Sequence, residues 1–225
     1  MILIDVGLTL LGGPTRSPAT FITELLSLPQ STKPLISDIV FSQEHSTPDD
    51  LLDSLSSILK IEFSDAQRSS LIDYWVSQLD ECLPLPGAQE FCKAIIENKY
   101  PYCIASNLWK PFHMALTRFI PEIEPSAKFL FLSYIMGARK PSDEFYNHVF
   151  LAIDAKPQNV VMVGDSFEND IFPCLSRGAT CVMLDLADKL TDHSSIMERV
   201  STYPDAQLHI AKTHSECLDL LKTLV

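Results

Sequence analysis

Five short runs rich in Val, Ile, Leu and Phe set the strongest limit on how this chain can fold: ILIDV at 2–6, YCIA at 102–105, FLFLSYI at 129–135, VVMV at 160–163 and CVML at 181–184. A short run that is apolar throughout reads as a strand buried on both faces. Helical patterns separate the later runs, and that alternation predicts an α/β fold, a parallel sheet flanked by helices. Local signals agree. Pro86 sits in the first turn of the pattern PGAQEFCKAII, Ser142 is a candidate N-cap for DEFYNHVFLAI, and Gly178 stands where the helix after Asp165 should stop. Pro173 falls inside that last helix and should kink it or force a late start.

The stretch from 14 to 85 has a different character. It carries helical patterns and no strand run: Ser17-Pro18 opens ATFITELLSL, DDLLDSLSSILK follows, and Ser64 with Gln67 forms a capping box ahead of RSSLIDYWVSQLDECL. Residues 27–48, with their Pro, Ser and Thr, read as a long loop inside it. The predicted organisation is a core of 1–13 and 86–225 with a helical insert at 14–85. Tyr74 and Trp75, on the last insert helix, read as packing residues.

Composition narrows the function. The chain has 225 residues, of which 46% are apolar, enough for a sizeable core. A formal net charge of −12 argues against nonspecific binding to nucleic acid or to an anionic membrane, both of which need basic surface. Small-molecule or protein partners remain. No apolar run reaches the roughly 18 residues of a membrane helix. The six cysteines show no CxxC pair, so they read as free buried thiols of a cytoplasmic protein. The six histidines show neither HxH nor HExxH spacing, and none is proposed as a metal ligand.

The polar residues that punctuate the strands carry the chemistry. Asp5 ends the first run, Ser106-Asn107 ends the second, Lys140-Pro141 follows the third, and GDSFEND at 164–170 ends the fourth, bringing Asp165 and Asp170. In an open parallel sheet, ligands bind at the carboxyl ends of strands, so four segments deliver these residues to one rim.

In this order and spacing the motifs resemble those of the haloacid dehalogenase superfamily: DVGLT at 5–9, Ser106-Asn107, Lys140 and GDSFEND. The resemblance spans nearly the whole chain. It implies a three-layer, Rossmann-like parallel sheet core with a helical cap inserted after the first strand, at 14–85. It also implies a magnesium-dependent phosphatase acting on a small phosphorylated metabolite. Asp5 would be the nucleophile and form an aspartyl-phosphate. Lys140 would offset negative charge, and Thr9, Ser106 and Asn107 would hold the loop and the phosphoryl group. Asp5, the carbonyl of Gly7, Asp165 and Asp170 would bind Mg2+.

One position departs from the pattern. Two residues after the nucleophile, the family's phosphatases carry a second aspartate that protonates the leaving oxygen, whereas this chain has Gly7. Such assistance is worth about 10²–10⁴ in rate. The expectation is therefore a slow phosphatase, or one that borrows an acid from the insert, where Glu24, Asp38, Glu44 and His45 are candidates. Two other readings stay open: a binding module that keeps the metal and phosphate platform, and a carbon–halogen or carbon–phosphorus hydrolase. A Schiff-base variant of the last would need Lys33 or Lys60 aimed at Asp5.

Overall fold

Asp5 directly follows β1 (Ile2–Ile4), whose three residues are all fully buried. In the computed structural model, which describes residues 1–188, 193–203 and 207–225, β1 lies inside a parallel sheet. The other strands are β2 (Tyr102–Ser106), β3 (Leu130–Leu132), β4 (Val161–Gly164), β5 (Thr180–Leu184) and β6 (Leu208–Ala211), in the order β3-β2-β1-β4-β5-β6. Ile4 pairs with Ile104 of β2 on one side and Val163 of β4 on the other, so Asp5, Ser106 and Asp165 leave the sheet at the same edge.

Period-2 geometry divides the core between the two faces. Ile2, Ile4, Ile104, Val163 and Val182 face one layer, and Leu3, Cys103, Met162 and Cys181 face the other. Uniformly apolar strands are therefore what this sheet requires. Two strand expectations need correction. The run at 129–135 is a strand only over Leu130–Leu132. A short helix, Ser133–Met136, follows, with Leu108 N–H donating to buried Ser133 Oγ at 3.1 Å. Strand β6 was not foreseen, because LHIA lies at the sheet edge, half-buried, with a histidine interrupting its apolar pattern.

Between β1 and β2 the chain forms α1 (Pro18–Leu25), α2 (Lys33–Ser42), α3 (Pro48–Leu59) and α4 (Asp65–Glu81). Ser17 caps α1, and the boxes Thr47/Asp50 and Ser64/Gln67 open α3 and α4 with both reciprocal bonds made. Helix α2 lies within the residues read as a loop. Its buried Ile36, Ile39 and Val40 have helical spacing, but punctuation by Pro, Ser and Thr at both ends hid it. The segments entering and leaving this helical stretch run side by side, Gly12 N–H donating to Leu83 O at 2.8 Å and Leu85 N–H to Leu10 O at 2.9 Å.

The helical stretch packs through α4 against α6 (Lys110–Phe119), which follows α5 (Ala88–Glu97) and β2, and through α2 against Ser133–Met136. Trp75 meets Trp109 edge-on at 5.1 Å, and Tyr74 stacks on Phe21 at 3.9 Å while donating to Arg16 O, so both act as packing residues. Ser142 caps Asp143–Ile153 as expected. Pro173 does force a late start: a wide turn over Phe167–Ile171 precedes the helix Phe172–Leu175, which takes Pro173 in its first turn. Gly178, at φ +87°, ends that segment.

All six cysteines are buried and unpaired, and burial pushes the thiols of Cys82, Cys92, Cys174 and Cys217 up to about 12. Among the described residues, no helix is long and apolar enough to cross a membrane.

Candidate active site

Three strand ends bring Asp5, Ser106 and Asp165 to one edge of the sheet, and the segment after β3 adds Lys140. Asp5 is 4% exposed; its Oδ1 accepts from Ser106 Oγ at 2.8 Å and from Lys140 Nζ at 2.6 Å. Lys140 is buried, and its ammonium also donates to Ala105 O at 3.0 Å and to Asp170 Oδ1. Those three acceptors use all three ammonium protons. Burial alone would lower the Lys140 pKa, but the carboxylates of Asp170 and Asp5 outweigh it and hold the group above the usual lysine value.

Asn107 fixes the backbone that carries this lysine, donating from Nδ2 to Lys140 O and accepting from Lys140 N–H, both at 2.9 Å. Asp170 is fixed on its other oxygen by Ser166 N–H at 3.0 Å. The wide turn over 167–171 that delivers it is held by Tyr146, whose hydroxyl donates to Asn169 O.

Carboxylate oxygens of Asp5, Asp165 and Asp170 lie within 4.8 Å of one another. Burial, then the charges of Asp5 and Asp170, push the Asp165 pKa up to about 8. Burial and the Asp5 charge likewise push Asp170 up to about 6, against the pull of Lys140. Three acids facing one ammonium leave an excess of negative charge. Hard oxygen donors with that excess suit a divalent cation such as Mg2+. No histidine belongs to this cluster; the His193 side chain lies outside the described residues.

A cavity of about 470 Å³ opens over the cluster, lined by Asp5, Gly7, Asn107, Lys140, Asp165 and Asp170 among others. Thr9 lies behind the loop, fully buried, outside that lining, its hydroxyl without a hydrogen-bond partner among the described residues. Ser106 also lies below the cavity floor, bonded to Asp5. The insert acids do not reach the cavity. Glu24 pairs with Arg16, Asp38 pairs with Arg139, and His45 turns its Nε2 to Ile39 O. Glu44, Lys33 and Lys60 do not line it either.

Sequence reasoning missed Ser166 and Asn169, which flank the acids in GDSFEND, and the apolar wall of Leu8, Phe41, Trp109 and Phe112. It also missed His214, whose Nε2 meets Thr9 O at 2.8 Å across 205 positions. The first pair was legible in the motif. An aromatic wall cannot be told from core by pattern alone.

The family model described as haloacid dehalogenase-like hydrolase matches residues 35–173, more than half of the chain. The chain belongs to the haloacid dehalogenase-like hydrolases. The matched part of this hydrolase includes Ser106, Asn107, Lys140, Asp165 and Asp170 and starts after Asp5. A curated relative, the ribulose-1,5-bisphosphate 5-phosphatase of Halopiger xanaduensis, is 25% identical over 154 residues, covering 66% of this hydrolase. The match spans 61% of that relative's length.

Solved structures share the fold of this hydrolase across nearly its full length. A phosphatase of the family from Thermococcus onnurineus superposes with a TM-score of 0.58 at 15% identity, over 98% of this chain and 96% of the other. A magnesium-bound hydrolase of the family from Bacillus subtilis gives 0.61 at 18%, over 98% and 97%. The L-2-haloacid dehalogenase of Xanthobacter autotrophicus gives 0.56 at 13%, over 100% and 98%.

Proposed function

We propose that this hydrolase is a magnesium-dependent phosphatase acting on a small phosphorylated metabolite through an aspartyl-phosphate on Asp5. The observation that carries the reading is the Asp5 carboxylate, held on a single oxygen by Ser106 and Lys140 and clustered with Asp165 and Asp170 at the lining of one cavity. Both hydrogen bonds fall on Oδ1, which leaves Oδ2 to attack phosphorus. The bond from phosphorus to the leaving oxygen breaks and its electron pair departs with that oxygen. Water then attacks the acyl phosphate, freeing phosphate and restoring Asp5.

Asp5, Asp165, Asp170 and the carbonyl of Gly7 would hold Mg2+, which supplies charge neutralisation for the anionic phosphoryl group. Lys140 adds a fixed positive charge beside the nucleophile. Asn107 positions Lys140 and, with its backbone N–H, would hold a phosphoryl oxygen; Thr9 and Ser106 support the loop and the nucleophile from beneath. Residues 14–85 serve as the cap over this site, and residues 1–13 and 86–225 as the core. A cytoplasmic location is part of the same reading.

Gly7 offers no proton, and the acids that line the cavity all belong to the carboxylate cluster. Esters whose leaving oxygen needs protonation should therefore turn over slowly. The same feature keeps a second reading in play, a binding module with an intact platform. A carbon–halogen hydrolase fits poorly, since that chemistry needs no metal whereas the Asp5, Asp165 and Asp170 cluster suits one.

The test compares an aryl phosphate, whose leaving group needs no proton, with an alkyl phosphate. Aryl turnover should be far the faster, and Asp5→Asn should abolish both. Gly7→Asp should raise alkyl turnover, by up to about 10²-fold if the new carboxyl reaches the leaving oxygen. A Cβ at residue 7 would meet Phe112 Cε1 at an ordinary 3.5 Å, so the first atom of the new side chain has room. No turnover of either ester by wild type or Gly7→Asp would favour the binding module.

A further inference from the structure

Beside the carboxylates, the cavity lining has an apolar and aromatic part drawn from three segments. Phe41 comes from α2 in the insert, Trp109 and Phe112 from the start of α6, and Leu8 from the loop after Asp5. Lys140 is the one cation among the described lining residues, and its ammonium is already committed to Asp5, Asp170 and Ala105 O. A second anionic group on a substrate would find no second cationic side chain among the described lining residues and would face the excess charge of the acids.

Leu8 is the informative member of the wall. Its φ is +59°, the left-handed region, which costs an ordinary L residue about 1–2 kcal/mol. The residue is nevertheless 51% exposed, so core packing does not compensate that cost. The turn is held by Leu8 N–H donating to Leu11 O at 2.7 Å. Leu8 also lines an adjoining recess of about 330 Å³ with Leu85, Met183, Leu184 and Leu186, and Asp165 borders both spaces. The turn thus sets an exposed leucine at the junction of two cavities beside the nucleophile.

We propose that the substrate is a phosphomonoester whose organic part is uncharged and apolar, an aryl group above all, seated against Leu8, Phe41, Trp109 and Phe112. The proposal rests on the phosphatase reading above. It also suits Gly7, because a phenolate leaves without protonation. It sets this hydrolase apart from its curated relative, whose named substrate carries two phosphates.

Phosphonates test it free of any leaving-group effect, since they contain no ester oxygen to expel. Calorimetric titration of the full chain with magnesium present would compare inorganic phosphate, methylphosphonate, phenylphosphonate and an alkane bisphosphonate. Phenylphosphonate should bind at least about 10-fold tighter than methylphosphonate, the discrimination that an added apolar group earns in an apolar pocket. Leu8→Gly should remove much of that advantage while holding or raising the melting temperature, because glycine adopts the left-handed conformation freely. Phe41→Ala, from the insert side, should weaken phenylphosphonate in the same direction.

Equal binding of the phenyl and methyl compounds alongside clear phosphate binding would overturn this proposal and leave the phosphatase reading standing. Tightest binding by the bisphosphonate would do the same. A phenyl preference that survives Leu8→Gly would overturn the assignment of Leu8. Absence of binding by all four probes, phosphate included, would overturn the phosphatase reading and this proposal with it.

Discussion

Asp170 fills the space directly over Gly164: a Cβ on residue 164 would lie 2.6 Å from Cβ, Cγ and Oδ2 of Asp170. That contact is what allows the acid to sit against the end of β4 with one oxygen on Ser166 N–H and the other on Lys140. Gly164→Ala must displace Asp170 or the strand end, an overpacking cost of about 1–3 kcal/mol. Denaturant melts should show that loss, and thermal stabilisation by Mg2+ should shrink with it. A variant that keeps both would mean that Asp170 is not needed for the metal.

The pH dependence follows from Asp165. Its pKa is pushed up to about 8, so the folded protein holds a proton there that the unfolded chain, near 3.8, gives up much earlier. The sign is that of a raised acid: its contribution favours the fold at low pH and is lost as pH rises towards about 8, where burial of the charged form opposes folding. With EDTA present, the melting temperature of wild type should therefore fall across that range more steeply than that of Asp165→Asn. Mg2+ must displace the same proton, so its stabilising shift should grow with pH in wild type and stay small in the variant. Parallel profiles for the two proteins would count against the site.

Lys140→Met removes the ammonium from between Asp5 and Asp170 and strands two buried carboxylates. Breaking a buried pair in this way typically costs about 3–5 kcal/mol. Lys140 holds the Asp170 pKa down to about 6, so the variant takes up that proton at higher pH, and the gap between wild type and variant, measured by urea denaturation in EDTA, should narrow as pH drops towards about 6. A gap that does not depend on pH would assign the loss to packing alone.

His214 ties the loop after Asp5 to the start of the segment leading into α5. Buried to 1% exposure, it faces Pro86 O with Nδ1 and Thr9 O with Nε2, each at 2.8 Å. A neutral ring can donate to only one of these carbonyls, and only the doubly protonated ring satisfies both. His214→Ala leaves both carbonyls to find other partners and should cost about 1–3 kcal/mol. Turnover of an aryl phosphate should fall as well, through the Thr9 turn. Unchanged turnover at reduced stability would confine His214 to a structural role.

The strand-end residues were legible because a parallel sheet obeys a local rule. Apolar runs long enough to cross it end in polar residues at one edge, and the spacing of Asp5, Ser106-Asn107, Lys140 and Asp165 could be read against that rule without coordinates. Caps such as Ser17, Ser64 and Ser142 are equally local. Strand β6 and helix α2 escaped because edge burial and flanking Pro, Ser and Thr blur periodicity over so few residues.

By itself, then, the sequence determined the α/β class, the helical stretch between β1 and β2 and the polar residues at the strand ends, since each depends on spacing within a few turns or one strand. Only the tertiary structure decided how those residues act on one another. That Lys140 spends its three protons on Asp5, Asp170 and Ala105 O depends on atoms brought together across as many as 135 positions. So does the failure of Glu24, Asp38, Glu44 and His45 to reach the cavity, and so does the placing of the core residues Trp109 and Phe112, with Phe41, along the cavity lining as well. Periodicity fixes which face of a helix is apolar. What that face meets is set by the packing of the whole chain.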